Sequence, residues 1–301
     1  MGVLVVGTVT LDTVETPQKR VEDVLGGSGT YAAVAASFFG KPVRLVGVVG
    51  ADFPQVYTDF LNDKGIDLEG LTRVENGKTF RWGGRYADDF NVRDTLFTEL
   101  NVVTDFHPEI PYAYKETSYL FLANGPPQLQ LSIIEQTSNP KLIVCDTMDF
   151  WINEDREALE KTIERVDILI LNDSEAKLLT GESNLLLAAK GILRYGPKRV
   201  IVKKGEHGAI SITESSFFSA PAYPLTEVVD PTGAGDSFAG GFMGYLASVD
   251  DISEGSIRKA MMYGTVTASF NIEDFSINRQ KSVQFSEIEV RYRELQEMVR
   301  F

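Results

Sequence analysis

The feature that most constrains the fold is an alternation of short, continuously apolar runs with helix-like segments. Continuous apolar runs are typical of strands covered on both faces, and six are found: Val3–Gly7, Arg44–Val49, Tyr119–Ala123, Leu142–Asp146, Ile168–Leu171 and Val200–Lys203. The helix-like segments between them include Ser28–Phe39, Val56–Lys64, Leu129–Thr137, Arg156–Arg165 and Leu185–Tyr195. The alternation predicts βαβ units and a parallel sheet. The chain has 301 residues and shows no repeat or linker, so we expect a single α/β domain over residues 1–301.

Two segments interrupt this alternation. Thr13–Leu25 alternates polar and apolar residues, and Lys78–Asp105 carries Phe80, Trp82 and Tyr86 at alternating positions. Both patterns predict antiparallel ribbons exposed on one face, which together could form a small projecting sheet. Such a sheet can act as a lid over a cleft, or it can be an edge extension or a contact between the two copies of a homodimer.

The net charge limits the kinds of molecule that the protein can bind, and the cysteine content limits its disulfides. The net charge of −14 disfavours nucleic acid and anionic membranes, because like charges repel at long range. A polyanionic ligand such as ATP could still bind if Mg²⁺, local cations and backbone N–H groups offset the negative field of the protein. Cys145 is the single cysteine, which excludes an intrachain disulfide and fits a cytoplasmic protein. No apolar stretch approaches the length of a membrane span.

The segment Asp230–Phe242 carries the most chemical information. Gly233, Ala234 and Gly235 precede a helix-like run, Asp236–Leu246. Small residues at a helix start let backbone N–H groups approach an anion, which predicts an anion hole for a phosphoryl group. Asp236 stands at the same turn, where a carboxylate can accept the proton of an attacking hydroxyl. Taken alone, the motif could equally be a glycine-rich turn with an Asp helix cap.

Three motifs together resemble signatures of the ribokinase/PfkB family of carbohydrate kinases. They are Gly26-Gly27-Ser28-Gly29, Asn172-Asp173-Ser174-Glu175 and Asp230-Pro231-Thr232-Gly233-Ala234-Gly235-Asp236, in the order of the family. The resemblance implies a ribokinase-like three-layer α/β/α fold with a mostly parallel central sheet and a small β lid. It also implies transfer of the γ-phosphoryl group of ATP to a hydroxyl of a sugar or sugar-like substrate. The alternative acceptor is a nucleoside, for a kinase of the same fold.

The resemblance assigns roles to individual residues. Asp236 would be the catalytic base, and Gly233, Ala234 and Gly235 the anion hole. The implied substrate contacts are Asp12, Gly26, Gly27 and Tyr31. Further candidates for binding an anionic substrate are Arg81, Arg85 and Arg93 in the predicted lid, or else they are solvated charges on an edge strand.

Nucleotide and metal contacts follow from the same resemblance. ATP would contact Asn172, Lys203, Gly205, Gly208 and Gly235. Asn172 and Glu175 would hold Mg²⁺ largely through water, and Asp230 and Thr232 resemble residues that bind a monovalent cation such as K⁺. Two structural alternatives stay open. Asn172 to Glu175 could be a helix cap with an acidic first turn, and Gly205 to Gly208 could be a hairpin turn.

The sequence departs from the family pattern at two places. Tyr31 stands where the di-glycine motif often carries an Asn. After the fourth strand many sugar kinases have Asp-x-Asn-x-Arg, but here Asp146 is followed by Thr147-Met148-Asp149-Phe150. Substrate contacts made by the missing side chains must therefore be changed or absent.

Two other classes of function fit the sequence less well. Gly27 to Ala32 matches a dinucleotide-binding fingerprint, as in a dehydrogenase, but that fingerprint needs a buried strand before its first glycine. Lys19–Val24 is too polar to be that strand. A non-catalytic sugar or nucleotide sensor would have no need of a base such as Asp236.

Overall fold

A computed structural model of the chain describes residues 2–87, 90 and 92–300. The strands are β1 (Val3–Val6), β2 (Thr10–Glu15), β3 (Arg20–Gly26), β4 (Val43–Gly50), β5 (Ile66–Asp67), β6 (Leu71–Val74), β7 (Phe80–Tyr86), β8 (Arg93–Glu99), β9 (Tyr119–Leu122), β10 (Leu142–Asp146), β11 (Ile168–Asn172), β12 (Arg199–Lys203), β13 (Ala209–Ile212) and β14 (Phe217–Ala220). The α-helices are α1 (Ser28–Ser37), α2 (Gln55–Asp63), α3 (Pro127–Gln136), α4 (Asp149–Glu154), α5 (Arg156–Ile163), α6 (Asp173–Thr180), α7 (Leu185–Leu193), α8 (Ala234–Val249), α9 (Glu254–Asn271), α10 (Asn278–Ser282) and α11 (Phe285–Met298).

The central sheet is mostly parallel, which confirms the predicted fold class. Within the described residues it has ten strands in the order β14-β13-β12-β11-β10-β9-β1-β4-β5, with β6 paired to β4. All pairs from β12 to β5 are parallel, and β13 and β14 add an antiparallel edge. The six predicted strands are observed to within one residue at each end. That residues 1–301 act as a single domain stays a prediction.

Strand β1 shows why the fold has three layers. Val3 and Val5 belong to one hydrophobic core, while Leu4 and Val6 belong to another. Because successive side chains of a strand point to opposite faces, the two cores lie on the two faces of the sheet. The first core contains residues of α1, α8, α9 and α11, and the second contains residues of α3, α5, α6 and α7. A strand without polar positions is stable here only because both faces are covered.

The two interrupting segments join in a second sheet of four strands, in the order β3-β2-β7-β8. Its two hairpins, β2–β3 and β7–β8, are antiparallel as predicted. The pair that joins the two hairpins, β2–β7, is parallel, so the sheet as a whole is mixed. We call this sheet the lid sheet; Asp88, Asp89 and Asn91 of the predicted lid segment lie outside the described residues.

Three local details bear on the sequence predictions. Helix α8 begins at Ala234 rather than Asp236, so Gly235 and Asp236 lie in its first turn. Asp12 lies within strand β2, which begins at Thr10 and so extends the predicted ribbon of Thr13–Leu25 towards the N-terminus. Strand β3, which precedes Gly27, is mostly exposed and belongs to the lid sheet, which removes the structural context a dinucleotide fingerprint needs. Among residues 2–87, 90 and 92–300, no helix is long and apolar enough to cross a membrane.

Candidate active site

Three neighbouring parallel strands end in polar residues at one edge of the central sheet. Asp146 ends β10, Asn172 ends β11 and Lys203 ends β12. The carboxyl edge of a parallel sheet is where α/β proteins bind ligands. The Lys203 Nζ atom donates to Asp146 Oδ2 at 2.6 Å, although the two residues lie 57 positions apart. Both side chains are largely buried, at 18% and 3% exposure respectively, so this ion pair is a fixed part of the site.

The first turn of α8 faces this ion pair. Gly233 caps the helix in the left-handed conformation, with φ 77° and ψ 2°. A Cβ atom added to Gly235 would lie 2.9 Å from Lys203 Nζ, so the ammonium group lies directly against the helix start. A helix N-terminus and a cation at one point form a site for an anion.

The backbone of this turn refines the predicted anion hole. The N–H of Ala234 donates to the Pro231 carbonyl at 3.1 Å, so it is already satisfied. The first N–H groups of a helix lack acceptors within the helix, so of the two predicted residues inside α8, Ala234 and Gly235, it is Gly235 whose N–H remains for a ligand. The lack of a side chain at Gly235 leaves room for that ligand beside Lys203.

Asp236 lies in the same turn, and its pKa is shifted towards neutrality. Burial raises the pKa of Asp236 to about 7, and the neighbouring Asp146 carboxylate raises it further, while Lys203 and Arg93 act in the opposite direction. A carboxylate with a pKa near the working pH can both accept and release a proton. Asp236 therefore has the chemistry of a general base.

Asn172 and Glu175 form a reciprocal helix cap at the start of α6. The backbone N–H of Glu175 donates to Asn172 Oδ1 at 2.8 Å, and the Asn172 N–H donates to Glu175 Oε2 at 2.7 Å. The motif is therefore a helix cap, which is the structural alternative that the sequence left open. Burial raises the pKa of Glu175 to about 8, with Lys203 lowering it and Asp146 raising it. Across the described residues, no group of three or more His, Cys, Asp or Glu side chains could hold a metal directly.

The predicted substrate residues near the N-terminus lie close together. Thr10 Oγ1 donates to Asp12 Oδ1 at 2.6 Å, and a Cβ atom on Gly26 would overlap the Asp12 carboxylate. Burial raises the pKa of Asp12 to about 7, although the Thr10 hydrogen bond lowers it and the charges of Asp230 and Asp236 raise it. Gly27 caps α1 with φ 100°, which a residue with a side chain rarely adopts.

Asp230 and Thr232 form a compact turn held by a distant loop. The Thr232 N–H donates to Asp230 Oδ1 at 2.8 Å, and the Ser276 N–H donates to Asp230 Oδ2 at 3.3 Å. Asp230 is 1% exposed, and burial is the main cause that raises its pKa. In the described part of the chain it forms no ion pair, and a buried carboxylate without a counter-charge suits a cation.

Of the lid arginines that the sequence offered, Arg81 is tied up in ion pairs, whereas Arg93 acts on the site. The Arg81 guanidinium is bound by Asp23 and by Asp52, the latter at 3.1 Å, so Arg81 ties the lid sheet to the loop after β4 instead of standing free for a substrate. Two other lid residues interact with the start of α8 and the turn before it, Arg93 through its charge and Tyr86 through a hydrogen bond. Arg93 lies over the Trp82 ring and its charge lowers the pKa of Asp236.

Tyr86 was missed by the sequence reasoning as a functional residue. Its hydroxyl accepts a hydrogen bond from Thr232 Oγ1 at 3.2 Å, which links the lid sheet to the turn before α8. Tyr86 also packs with Val14 and Phe275 in a small core beneath the lid sheet. The alternation of aromatic residues in this segment indicated only that one face of the ribbon is covered.

Gly205 and Gly208 lie in the hairpin between β12 and β13. The Lys204 N–H donates to the Gly208 carbonyl at 2.7 Å, and a Cβ atom on Gly208 would overlap the Ala220 carbonyl. Close backbone packing in this hairpin is therefore enough to explain a glycine at position 208. Contacts of Gly205 and Gly208 with ATP stay predictions.

Comparison with known proteins agrees with this geometry. The family model for pfkB family carbohydrate kinases matches residues 91–281. A cytidine kinase of Thermococcus kodakarensis is 31% identical over 253 residues, which cover 81% of this chain and 87% of that protein. The chain belongs to the pfkB family of carbohydrate kinases. The suspected resemblance is thus confirmed, and this pfkB-family kinase is a phosphotransferase with an alcohol group as acceptor.

Solved structures show the same fold as this pfkB-family kinase. The nucleoside kinase of Burkholderia thailandensis in complex with inosine superimposes with a TM-score of 0.78 at 21% identity, over 97% of both chains. A candidate ribokinase II from E. coli, in complex with ATP and Mg²⁺, gives a TM-score of 0.78 at 20% identity, over 97% of this chain and 99% of that one. The ribokinase-like architecture predicted from the motifs is therefore confirmed.

Proposed function

We propose that this pfkB-family kinase transfers the γ-phosphoryl group of ATP to a hydroxyl of a sugar or nucleoside, with Asp236 as the general base. The observation that supports this most is the meeting of three groups at the start of α8. The Gly235 backbone and the Lys203 ammonium lie against each other there, and Asp236 follows directly with a pKa of about 7. An anion site beside a base of this pKa is what hydroxyl phosphorylation requires.

Phosphoryl transfer at this site would exchange one phosphorus–oxygen bond for another. The acceptor oxygen forms a bond to the γ-phosphorus, the bond from that phosphorus to the bridging oxygen of ADP breaks, and the hydroxyl proton moves to Asp236. The N–H of Gly235 and the ammonium of Lys203 stabilise the negative charge on the phosphoryl oxygens. Gly233 and Ala234 contribute by shaping the turn. Because Lys203 is also paired with Asp146, it is held in place before the nucleotide binds.

The residues present suit Mg²⁺ held through water rather than by direct ligation. The Asn172 amide oxygen accepts from both the Glu175 N–H and the Ser174 hydroxyl, and one Glu175 oxygen accepts from the Asn172 N–H. Mg²⁺ commonly keeps several waters and binds to substrate phosphates, and when bound it would neutralise charge on those phosphates. The ATP and Mg²⁺ complex of the E. coli neighbour supports both cofactors. We also propose K⁺ near Asp230 and Thr232, on the ground that the buried Asp230 carboxylate lacks a counter-charge in the described part of the chain.

The acceptor is proposed to bind between Asp236 and Asp12, which lies in strand β2 of the lid sheet. A carboxylate accepts hydrogen bonds from adjacent hydroxyls, which suits the polyol of a sugar or the ribose of a nucleoside. The similarity to a cytidine kinase supports the nucleoside alternative, and the family as a whole supports a sugar. Closure of the lid sheet over the acceptor, a homodimer through that sheet and a cytoplasmic location stay predictions.

An ATP-consumption screen tests this function directly. Purified protein with Mg²⁺ is offered sugars, sugar acids, sugar phosphates, ribonucleosides and 2′-deoxyribonucleosides, and the phosphorylated product is identified. We expect ATP consumption that depends on one acceptor class and a product phosphorylated on a hydroxyl. ATP consumption that no member of the panel stimulates would contradict the proposed acceptor range.

A further inference from the structure

Asn271, the last residue of α9, contacts the turn before α8 although it lies outside the three sequence motifs. Its side chain is completely buried, and its Nδ2 atom donates a hydrogen bond to the Thr232 carbonyl at 2.7 Å. The two residues lie 39 positions apart in the chain. The bond therefore ties the end of α9 to the residue that precedes Gly233, the cap of α8.

A chain of buried hydrogen bonds sets the orientation of this amide. A carbonyl can only accept, so Asn271 must present its NH₂ group to Thr232 and its oxygen to Ser237. The Ser237 hydroxyl donates its one proton to Asn271 Oδ1 at 3.2 Å, and it accepts a hydrogen bond from Gln280 Nε2 at 2.9 Å. Each bond of the chain is thus donated in the direction of the Thr232 carbonyl.

This chain leaves one buried atom unpaired at its far end. Within the described residues, Gln280 Oε1 has no hydrogen-bond partner, although the whole residue is buried. A buried acceptor without a donor costs free energy, so it calls for an explanation. Reversing the Gln280 amide would pair this oxygen, but it would take the Ser237 proton away from Asn271. The observed arrangement therefore satisfies the Thr232 carbonyl and leaves Gln280 Oε1 without a donor.

The held carbonyl fixes the direction of the Gly233 N–H. Both groups belong to one planar trans peptide, in which the carbonyl and the N–H point to opposite sides. Because the Thr232 carbonyl points to the buried Asn271, the Gly233 N–H points away from it, and the described part of the chain offers this N–H no acceptor. The Tyr31 ring packs so closely on Gly233 that a Cβ atom on this glycine would overlap it, which leaves the peptide little room to rotate.

We propose that Asn271 is a positioning residue for phosphoryl transfer, which holds the Thr232 carbonyl so that the Gly233 N–H is aimed at the γ-phosphoryl group. This inference rests on the proposed function and extends it to a residue that itself touches neither ATP nor the acceptor. A donor that is fixed beforehand needs no reorganisation when charge develops in the transition state. Asn271 should therefore affect turnover much more than ground-state binding.

Asn271→Leu tests this role by removing the donor while keeping a branched side chain. We expect kcat to fall by about 10- to 100-fold, since a small displacement of a positioned group can cost that much. The KM values for ATP and for an accepted acceptor should change little. In calorimetry with Mg²⁺, the affinity for ADP with aluminium fluoride, a mimic of the transferring phosphoryl group, should fall by about the same factor as kcat. The affinity for ADP alone should stay the same.

Thr267→Val is the matched control. Thr267 lies one turn earlier on α9 and is equally buried, and its hydroxyl donates to the Ser237 carbonyl at 2.8 Å. The variant therefore removes a buried hydrogen bond between the same two helices without touching the Thr232 carbonyl. We expect Thr267→Val to lower the melting temperature, as Asn271→Leu does, and to leave kcat unchanged.

Ser237→Ala decides the question if Asn271→Leu does not fold. It keeps Asn271 but removes the hydroxyl that orients its amide, so kcat should fall by about 3- to 10-fold, the typical loss for one neutral hydrogen bond. If Asn271→Leu does fold, adding Ser237→Ala to it should cause little further loss, because both changes act through the same bond to Thr232.

Three results would overturn the inference. The first is the parental kcat in a folded Asn271→Leu or Ser237→Ala variant. The second is an equal loss of kcat in Thr267→Val, which would give the whole α8–α9 contact a purely structural role. The third is a loss of affinity for ADP alone that matches the loss of kcat. Failure of the proposed function is separable: parental activity in Asp236→Asn would refute the base, whereas an inactive Asp236→Asn beside a fully active Asn271→Leu would refute only this inference.

Discussion

Replacing Asp236 by Asn should remove catalysis and at the same time stabilise the fold. Asn keeps the shape of the side chain but cannot accept the proton, so kcat should fall by about 10²–10⁴-fold, the usual contribution of general-base catalysis. The stability change follows from the raised pKa. A carboxyl group with a pKa of about 7 in the folded protein, against an ordinary 3.8, costs stability when it is ionised. That difference corresponds to about 4 kcal/mol at most.

The sign of this effect depends on pH. The unfolded chain loses its Asp236 proton near pH 3.8 and the folded chain near pH 7, so the folded state is destabilised progressively between these values. The cost is complete above pH 7 and absent below pH 4. Because Asp236 is partly exposed and lies near Lys203, solvent and the ammonium group offset part of it. We therefore expect Asp236→Asn to gain about 1–2 kcal/mol at pH 8.

Two measurements on purified protein check this reasoning. Phosphoryl transfer to an accepted substrate gives kcat and both KM values, and the KM for ATP should change little. Urea unfolding at pH 8 and at pH 4 gives the stability difference, which should be present at the higher pH and vanish at the lower. Activity within a few-fold of the parent would refute Asp236 as the base. Equal stability of the two proteins at pH 8 would refute the electrostatic argument even if activity were lost.

Three further predictions concern the surroundings of Asp236. Glu175→Gln keeps a residue able to complete the helix cap but lacks a carboxyl group that can ionise beside Mg²⁺, so a Mg²⁺ titration should show a higher requirement and lower turnover; an unchanged Mg²⁺ dependence would remove Glu175 from the site. Lys203→Met leaves the buried Asp146 unpaired and should cost about 3–5 kcal/mol in urea unfolding, most of it recovered by adding Asp146→Asn; a smaller loss would mean that water reaches the pair. Trp82→Ala and Arg81→Ala loosen the lid sheet and should raise the acceptor KM while leaving the KM for ATP nearly intact. Unaltered acceptor kinetics in both variants would make the sheet a surface extension or an oligomer contact.

Local sequence determined the central layers of this protein. A run such as Leu142–Asp146 is stable as a strand only when both of its faces are covered, and it is observed as β10 with the predicted bounds. The turn from Asp230 to Asp236 is equally local. Its glycines and its carboxylate are contiguous, so the helix start and the candidate base could be predicted together, with an error of only two residues in where α8 begins.

Only the tertiary structure decided which distant groups meet. The contact between Lys203 and Asp146 depends on β10 and β12 ending at the same edge with β11 between them, which neither segment encodes by itself. The sequence left Arg81 available for an anionic substrate, but in the folded lid sheet it forms ion pairs with Asp23 and Asp52. Tyr86 reaches Thr232 for the same reason. Hydrophobic periodicity records which face of an element is buried, but the identity of the group on the other side is set by strand order and by the path of the chain between elements.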